Sequence, residues 1–325
     1  MTTHPPVLDV DEVVKDYPRG VRANDGISLQ VSEGEVFGML GHNGAGKTTL
    51  LNQVVGIAKP TRGRIHVDGF DAVADPARAR HACSMQPQAQ APLSGVTPRE
   101  SIELMARIRG ADRRRARART DQLIEALDIG PWASTKGERL SGGVQRLTAF
   151  AMAVAEPGRL VMLDEPTNDV DPVRRRLLWA QIRDLAATGC AVVLVTHNVL
   201  EAERAVDRLV ILDEGRVVAH GTPAQLRDDQ GGRLRLELIA VRSDDARSLA
   251  SRFDGADPPV VDGRRVMVPI AIEDMTDVLR WAEGARRDGT IDEFSLNPVS
   301  LEDIYVRLVG RVSEGEGDDD ASLVA

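Results

Sequence analysis

Several things are scarce in this sequence. It has two cysteines, Cys83 and Cys190, too few for a disulfide framework. Each lies in or beside an apolar run, so both read as buried free thiols rather than metal ligands or nucleophiles. No apolar stretch approaches the ~18 residues needed to cross a bilayer. The opening Met-Thr-Thr-His-Pro-Pro has neither a basic n-region nor an apolar h-region, so no secretory leader is expected. Basic charge is short as well. The formal net charge is −9 at pH 7, whereas a nucleic-acid binder needs a basic face for phosphates. These absences predict a cytoplasmic chain with no nucleic-acid partner. If it serves a membrane process, another polypeptide crosses the membrane.

What is present is enough for two domains with real cores in 325 residues. The most informative string is Gly41-His42-Asn43-Gly44-Ala45-Gly46-Lys47-Thr48. It follows the apolar run Val36 to Leu40 and leads into Thr49-Leu50-Leu51, where a helix opens. A buried strand, a glycine turn and a helix N-terminus aim backbone N–H groups and partial positive charge at an anion. Lys47 adds a full charge for the β- and γ-phosphates of a nucleotide, and the Thr48 hydroxyl is placed to ligand Mg²⁺.

Further along, the run Leu160 to Leu163 ends in Asp164-Glu165-Pro166. Phosphoryl transfer to water needs charge neutralisation and an oriented water. Asp164, at the end of a buried strand, is placed to hold Mg²⁺ through water, and Glu165 is placed to polarise the attacking water. A third apolar run, Val192 to Val195, ends in Thr196-His197. These runs lack alternation, as strands covered on both faces should.

The pattern between them is coarser. Residues 7–14 and 27–40 read as short strands, and a helix after the glycine loop ends near Gly56. Residues 63–69 read as a strand closed by an Asp-Gly turn. From Thr97 to about Asp128 the apolar spacing is helical. The five arginines between Arg113 and Arg119 read as a solvated helix face rather than a nucleic-acid patch. Asp228 to Gly232 reads as a linker. Beyond it come a strand at 234–241, a helix at 244–253, a hairpin about Asp262-Gly263, a helix at 272–285 and a strand at 291–296. The order β-α-β-β-α-β predicts a small ferredoxin-like α+β domain. Ser300 to Tyr305 starts a capped amphipathic helix. Residues 312–325, acidic and glycine-rich, read as a disordered tail.

Leu140-Ser141-Gly142-Gly143-Val144-Gln145, followed by Leu163-Asp164-Glu165-Pro166 and then His197, resembles the signature sequence, Walker B strand and switch of the ATP-binding cassette (ABC) family. The resemblance covers roughly residues 7 to 228, and the order of its motifs is specific. It implies an α/β P-loop ATPase domain over 5–228, with a helical insert at about 97–135, ahead of the α+β domain at 233–311. It implies ATP and Mg²⁺ as cofactors. Gly41 to Thr49 would bind nucleotide, with Tyr17 stacking on adenine. Glu165 would be the catalytic base and His197 the switch touching the γ-phosphate. In the segment Ser84-Met85-Gln86-Pro87-Gln88 the Pro-Gln pair favours Gln88 as the γ-phosphate sensor and metal ligand beside Thr48 and Asp164, with Gln86 as the alternative. Ser141, Gly142 and Gly143 would close over the ATP held by a second subunit, giving a head-to-tail homodimer whose sites Asp171 couples. Val144 departs from the family's commonest glutamine, a departure tolerated among exporters.

The strings Glu201-Ala202-Glu203-Arg204, Asp213-Glu214-Gly215-Arg216, Gly221-Thr222-Pro223 and Ser300-Leu301-Glu302-Asp303-Ile304-Tyr305 resemble the daunorubicin-resistance type of exporter ATPase. That implies a separate integral-membrane permease, with this chain peripheral on the cytoplasmic face of the membrane and drug or small-molecule efflux as its work. Two rival readings are a non-transport cassette acting on DNA or the ribosome and an importer ATPase. Against the first, the chain has one cassette and no long coiled coil.

Overall fold

The computed structural model describes residues 5–89, 91–228, 233–253 and 259–315. It divides into two compact units, Met1–Thr222 and Pro223–Ala325. In chain order the first unit holds β1 (Leu8–Asp16), β2 (Arg22–Val31), β3 (Val36–Leu40), α1 (Lys47–Val54), β4 (Arg62–Val67), β5 (Phe70–Asp71), α2 (Pro76–Ala82), β6 (Cys83–Gln86), α3 (Pro98–Ile108), α4 (Arg113–Ala126), α5 (Gly142–Val154), β7 (Leu160–Asp164), α6 (Pro172–Ala187), β8 (Ala191–Thr196), α7 (Val199–Ala205), β9 (Arg208–Asp213) and β10 (Arg216–Gly221).

Two sheets build this unit. One is antiparallel, in the order β2-β1-β4-β5. The other runs β10-β9-β3-β8-β7-β6 and is parallel except at the edge strand β10. Every residue of β3, β7 and β8 is buried, which is why these strands read as unbroken apolar runs. The exposure of β10 alternates, as an edge strand with one solvated face should. The parallel register sets Leu40 beside Thr196 and Asp164 beside Val195. The C-terminal ends of three neighbouring strands therefore meet, and this is where open α/β sheets bind ligands.

The helical insert starts at a capping box. Thr97 Oγ1 accepts from the Glu100 N–H at 3.2 Å, and Glu100 Oε2 accepts from the Thr97 N–H at 2.8 Å. Pro98, which has no N–H, occupies the first turn. Asp112 caps α4 by accepting from the Arg115 N–H at 2.8 Å. The arginine run of α4 is not uniformly solvated. Arg115 pairs with Glu156 at 2.6 Å, and the half-buried Arg119 donates to the Val154 carbonyl at 3.4 Å. Cys83 is buried, whereas Cys190 is only half-buried. Its thiol donates to the Gly158 carbonyl at 3.5 Å.

The second unit holds α8 (Pro223–Asp228), β11 (Leu234–Ala240), α9 (Ser243–Ala250), β12 (Val260–Asp262), β13 (Arg265–Ile270), α10 (Met275–Arg287), β14 (Ile291–Pro298) and α11 (Leu301–Gly315). Its antiparallel sheet has the order β12-β13-β11-β14. The first strand thus lies between the third and fourth, the split β-α-β arrangement of ferredoxin-like folds. Alternate residues of β11 and β13, Leu236, Leu238, Val266 and Val268, form its core with Ala246 and Leu249 of α9 and Ala282 of α10. Gly263 turns the hairpin with φ +58°. Helix α8, read from sequence within the first domain, belongs to this unit and packs on α11. Helix α11 continues to Gly315, so residues 312–315 are helical rather than part of a disordered tail. The linker residues 229–232 and the tail beyond 315 lie outside the described residues.

Phe150 is fully buried on α5, so Phe150→Ala leaves a cavity as well as losing apolar burial. It should cost about 3–5 kcal/mol. Urea denaturation checks this, with the midpoint lowered and the m-value unchanged.

Candidate active site

The glycine loop, residues 41–46, joins β3 to α1 and packs backbone against backbone. A Cβ on Gly46 would lie 2.2 Å from the Ala23 carbonyl, and one on Gly41 would lie 2.5 Å from the Leu212 carbonyl. Gly44 and Gly46 take φ +96° and +95°, which side-chain-bearing residues rarely adopt. Two further contacts hold the loop. Asn24, buried on β2, donates through Nδ2 to the Gly46 carbonyl at 3.1 Å and accepts from Gln53 Nε2 at 2.6 Å. The His42 ring meets the buried carboxylate of Asp213 at 2.9 Å through Nε2 and the Asn43 carbonyl at 2.7 Å through Nδ1. Ala45 is buried beneath the loop. Thr49 is half-buried, and its carbonyl accepts from Gln53 Nε2 at 3.2 Å.

Lys47 is buried and donates through Nζ to the carbonyls of Gly41 at 2.6 Å and His42 at 2.8 Å. Burial lowers its pKa, while the charges of Glu165 and Asp164 oppose that. The Thr48 hydroxyl donates to Asp164 Oδ2 at 3.1 Å. Asp164 closes β7 and is itself buried, and burial raises its pKa above the usual carboxylate value.

Glu165 is buried with φ +52°, an uncommon conformation for a non-glycine residue and one that gathers at functional sites. Its N–H donates to the Val195 carbonyl at 2.9 Å, which ties the turn after β7 to β8. Its Oε1 accepts from the His197 N–H at 3.0 Å and meets His197 Nδ1 at 2.7 Å. A carboxylate only accepts, so Nδ1 carries the proton in this pair. The rest of the His197 ring is exposed. Glu165 Oε2 accepts from the Thr196 hydroxyl at 3.4 Å.

The other candidates lie further out. Gln88 is exposed on the loop after β6, and its carbonyl accepts from Arg146 of α5 at 2.9 Å. Gln86 ends β6, is fully buried, and donates through Nε2 to the Arg146 carbonyl at 3.3 Å. Its Oε1 is buried without a partner. Tyr17 is 39% exposed just before the turn into β2, with Lys15 Nζ 4.9 Å from its ring centroid. Ser141 caps α5 by accepting from the Val144 N–H at 3.5 Å, and Ser141 and Gly142 are exposed. Gly142 and Gly143 pack on Asp169 of the turn that follows β7.

The structure thus brings Lys47, Thr48, Asp164, Glu165 and His197 together. Ser141 to Gly143 stand against the turn at Asp169. Residues that sequence reasoning missed are Asn24, Gln53, Asp213 and Arg146. Asp213 stood in a quoted string but was given no role there, and the other three sit in no short string.

A strand–glycine loop–helix, an Asp-Glu at one neighbouring strand end and a histidine at another define a P-loop ATPase cassette. Comparison with known proteins agrees. The family model for ABC transporters matches residues 24–168. The daunorubicin/doxorubicin resistance ATP-binding protein of Streptomyces peucetius is 31% identical over 99% of this chain and 98% of its own. The Nod factor export ATP-binding protein I of Burkholderia orbicola is 34% identical over 94% of this chain and 97% of its own. The solved ATP-binding subunit of an ABC transporter superposes with a TM-score of 0.65 at 27% identity, covering 69% of this chain and 93% of that one. A dimeric ATP-binding cassette in a post-hydrolysis state, bound to ADP and Pi, superposes at 0.60 with 25% identity, covering 66% and 98%. The chain belongs to the ABC transporter ATP-binding proteins, and ATP is its nucleotide. Among the described residues no helix is long and apolar enough to cross a membrane.

The two signature glycines differ sharply in the space around them. A Cβ on Gly142 would meet Asp169 at 3.5 Å, ordinary contact, whereas one on Gly143 would lie 2.5 Å from the Asp169 carbonyl. Gly143→Ala should therefore cost about 1–3 kcal/mol, and Gly142→Ala should stay within about 0.5 kcal/mol of the parent. Urea midpoints of the two variants check the contrast.

Proposed function

We propose that this chain is the Mg²⁺-dependent ATPase subunit of an exporter, working as a homodimer with a separate membrane permease. The observation that carries the reading is the Glu165–His197 pair, held at neighbouring strand ends beside Lys47 and Thr48. Full-length similarity to a drug-resistance and a Nod-factor-export ATP-binding protein supports export.

In this reading the loop amides and Lys47 hold the phosphates, and Tyr17 stacks on the adenine. Glu165 takes the proton of the attacking water. Its carboxylate is aimed by two contacts from His197 and one from Thr196, so orientation is built in before ATP arrives. His197 presents Nε2 to the γ-phosphate. Thr48 and Asp164 with Gln88 offer a hydroxyl, a carboxylate and an amide, hard oxygen donors that suit Mg²⁺. Gln86 is the alternative to Gln88. The buried charge of Asp164, disfavoured by its surroundings, is also one that a cation would compensate. When bound, Mg²⁺ neutralises charge between the β- and γ-phosphates.

The exposed N-terminus of α5, with Ser141, Gly142 and Gly143, fits a surface that closes over ATP on a second copy. The solved cassette that carries ADP and Pi is dimeric. Asp171, at the start of α6, would couple the two sites. The helical insert and the loop at Gln88 would receive the permease, which places the chain peripherally on the cytoplasmic face of the membrane. The second unit would regulate or stabilise the dimer.

Glu165→Gln keeps the volume and removes the base. Turnover of the purified chain should fall by roughly two to four powers of ten, with ATP binding retained. Gel filtration of that variant with ATP should show a dimer. Wild-type hydrolysis by Glu165→Gln would end the assignment of the base, and a strictly monomeric elution would count against self-association.

Co-expression with its partner permease should move the chain into the membrane fraction, and removing that permease should return it to the supernatant. A chain that stays in the supernatant in both cases would contradict the exporter reading.

A further inference from the structure

Of the three consecutive arginines that follow the turn 168–171, Arg174 and Arg175 hold it from opposite sides. Arg174 reaches toward the helical insert. Its Nε donates to the Asp128 carbonyl at 3.1 Å and its Nη2 to Asp128 Oδ2 at 2.8 Å. Its Nη1 donates to Asp171 Oδ2 at 3.0 Å. The guanidinium lies 4.8 Å from the centroid of the Trp132 ring. Asp128 takes φ +53° just past the end of α4, and its carbonyl and carboxylate both meet this one cation. Arg174 thus ties the turn to the end of α4 and to the segment that follows it.

Arg175 reaches the other way. Its Nη1 meets Glu201 Oε1 at 2.7 Å, and its Nη2 donates to the Val170 carbonyl at 2.9 Å. Glu201 stands in the first turn of α7, the helix that begins just after His197. Arg175 Nε and Glu201 Oε2 are buried without a partner. The Arg175 side chain is 34% exposed, and an ion pair so placed contributes little to stability. What the pair does provide is a stiff link between α7 and the turn. Multi-donor guanidinium contacts fix orientation as well as distance, which an ammonium does not.

We propose that Arg174 and Arg175 are positioning residues that carry the state of the nucleotide site to the helical insert. Arg175 passes a displacement of α7, which follows His197, to the turn 168–171. Arg174 passes the displacement of that turn to Asp128 and Trp132. The signature glycines share the route, since Gly142 and Gly143 rest on Asp169 in the same turn. The proposal rests on the ATPase reading, because it takes ATP as the signal.

The test is amide hydrogen exchange of the full-length chain with and without ATP, in the Glu165→Gln background so that the nucleotide persists. In the parent, ATP should change exchange in 199–205, 168–171 and 113–132. Arg174→Gln should keep the response of 199–205 and lose that of 113–132. Arg175→Gln should keep 199–205 and lose both 168–171 and 113–132. In the otherwise wild-type chain each substitution should lower kcat by about 10- to 100-fold with KM for ATP within about twofold, the mark of a group that acts after binding. Arg174→Lys, which keeps the charge but not the three-way contact, should recover little of the loss.

An ATP response in 113–132 that survives Arg174→Gln would overturn the proposal alone. So would raised exchange of 113–132 without nucleotide while the ATP response stays intact, because that is the behaviour of a merely structural tie. A parent chain that binds no ATP would remove the ATPase reading first and the proposal with it.

Discussion

The site depends on a loop with no room for a side chain at Gly41 or Gly46. Residues 41–46 turn between β3 and α1 so tightly that the carbonyls of Ala23 and Leu212 occupy the places where Cβ atoms of Gly46 and Gly41 would stand. Asn24 and Gln53 lock it from behind, and Asp213 locks it through His42. The cationic head of Lys47 rests on two of the loop's own carbonyls. An anion of the right size would replace those carbonyls as its partner with little rearrangement of the stem.

The parallel sheet supplies the rest of the geometry. Neighbouring strands end level with one another, so Asp164 and Glu165 from β7 and His197 from β8 converge without long side chains. Glu165 bears a left-handed backbone that costs on the order of 1–3 kcal/mol. Its N–H bond to Val195 and its carboxylate bonds to Thr196 and His197 over-determine that conformation. The conformational cost sits at the point where orientation matters most.

Much of this was legible before the structure, for a physical reason. A glycine loop after an apolar run, a run ending in Asp-Glu and a run ending in His are contiguous strings, each wholly inside one strand and the turn that follows it. The β-α-β-β-α-β order of the second unit was legible too, because its central strands β11 and β13 alternate. The illegible parts join residues remote in sequence. Arg174 with Asp128, Arg175 with Glu201 and Asn24 with Gln53 are contacts between elements, and no local pattern announces them. Helix α2, Pro-Ala-Arg-Ala-Arg-His-Ala, has only Ala79 buried and so carried no apolar stripe to detect. The arginine run of α4 misled in part. Arg115 and Arg119 lie against the end of α5, and a one-dimensional count of charges does not show which of them find partners.

The two cysteines differ in a way that matters to anyone who wants to watch this molecule move. Burial pushes the Cys83 thiol up to about 12, so at neutral pH it holds almost no thiolate, the form that attacks an alkylating dye. Cys190 is half-buried immediately before β8, while His197 stands at the far end of the same strand. The natural chain therefore comes with one addressable handle. A fluorophore placed there would ride on the strand that leads to His197, at the end away from Glu165.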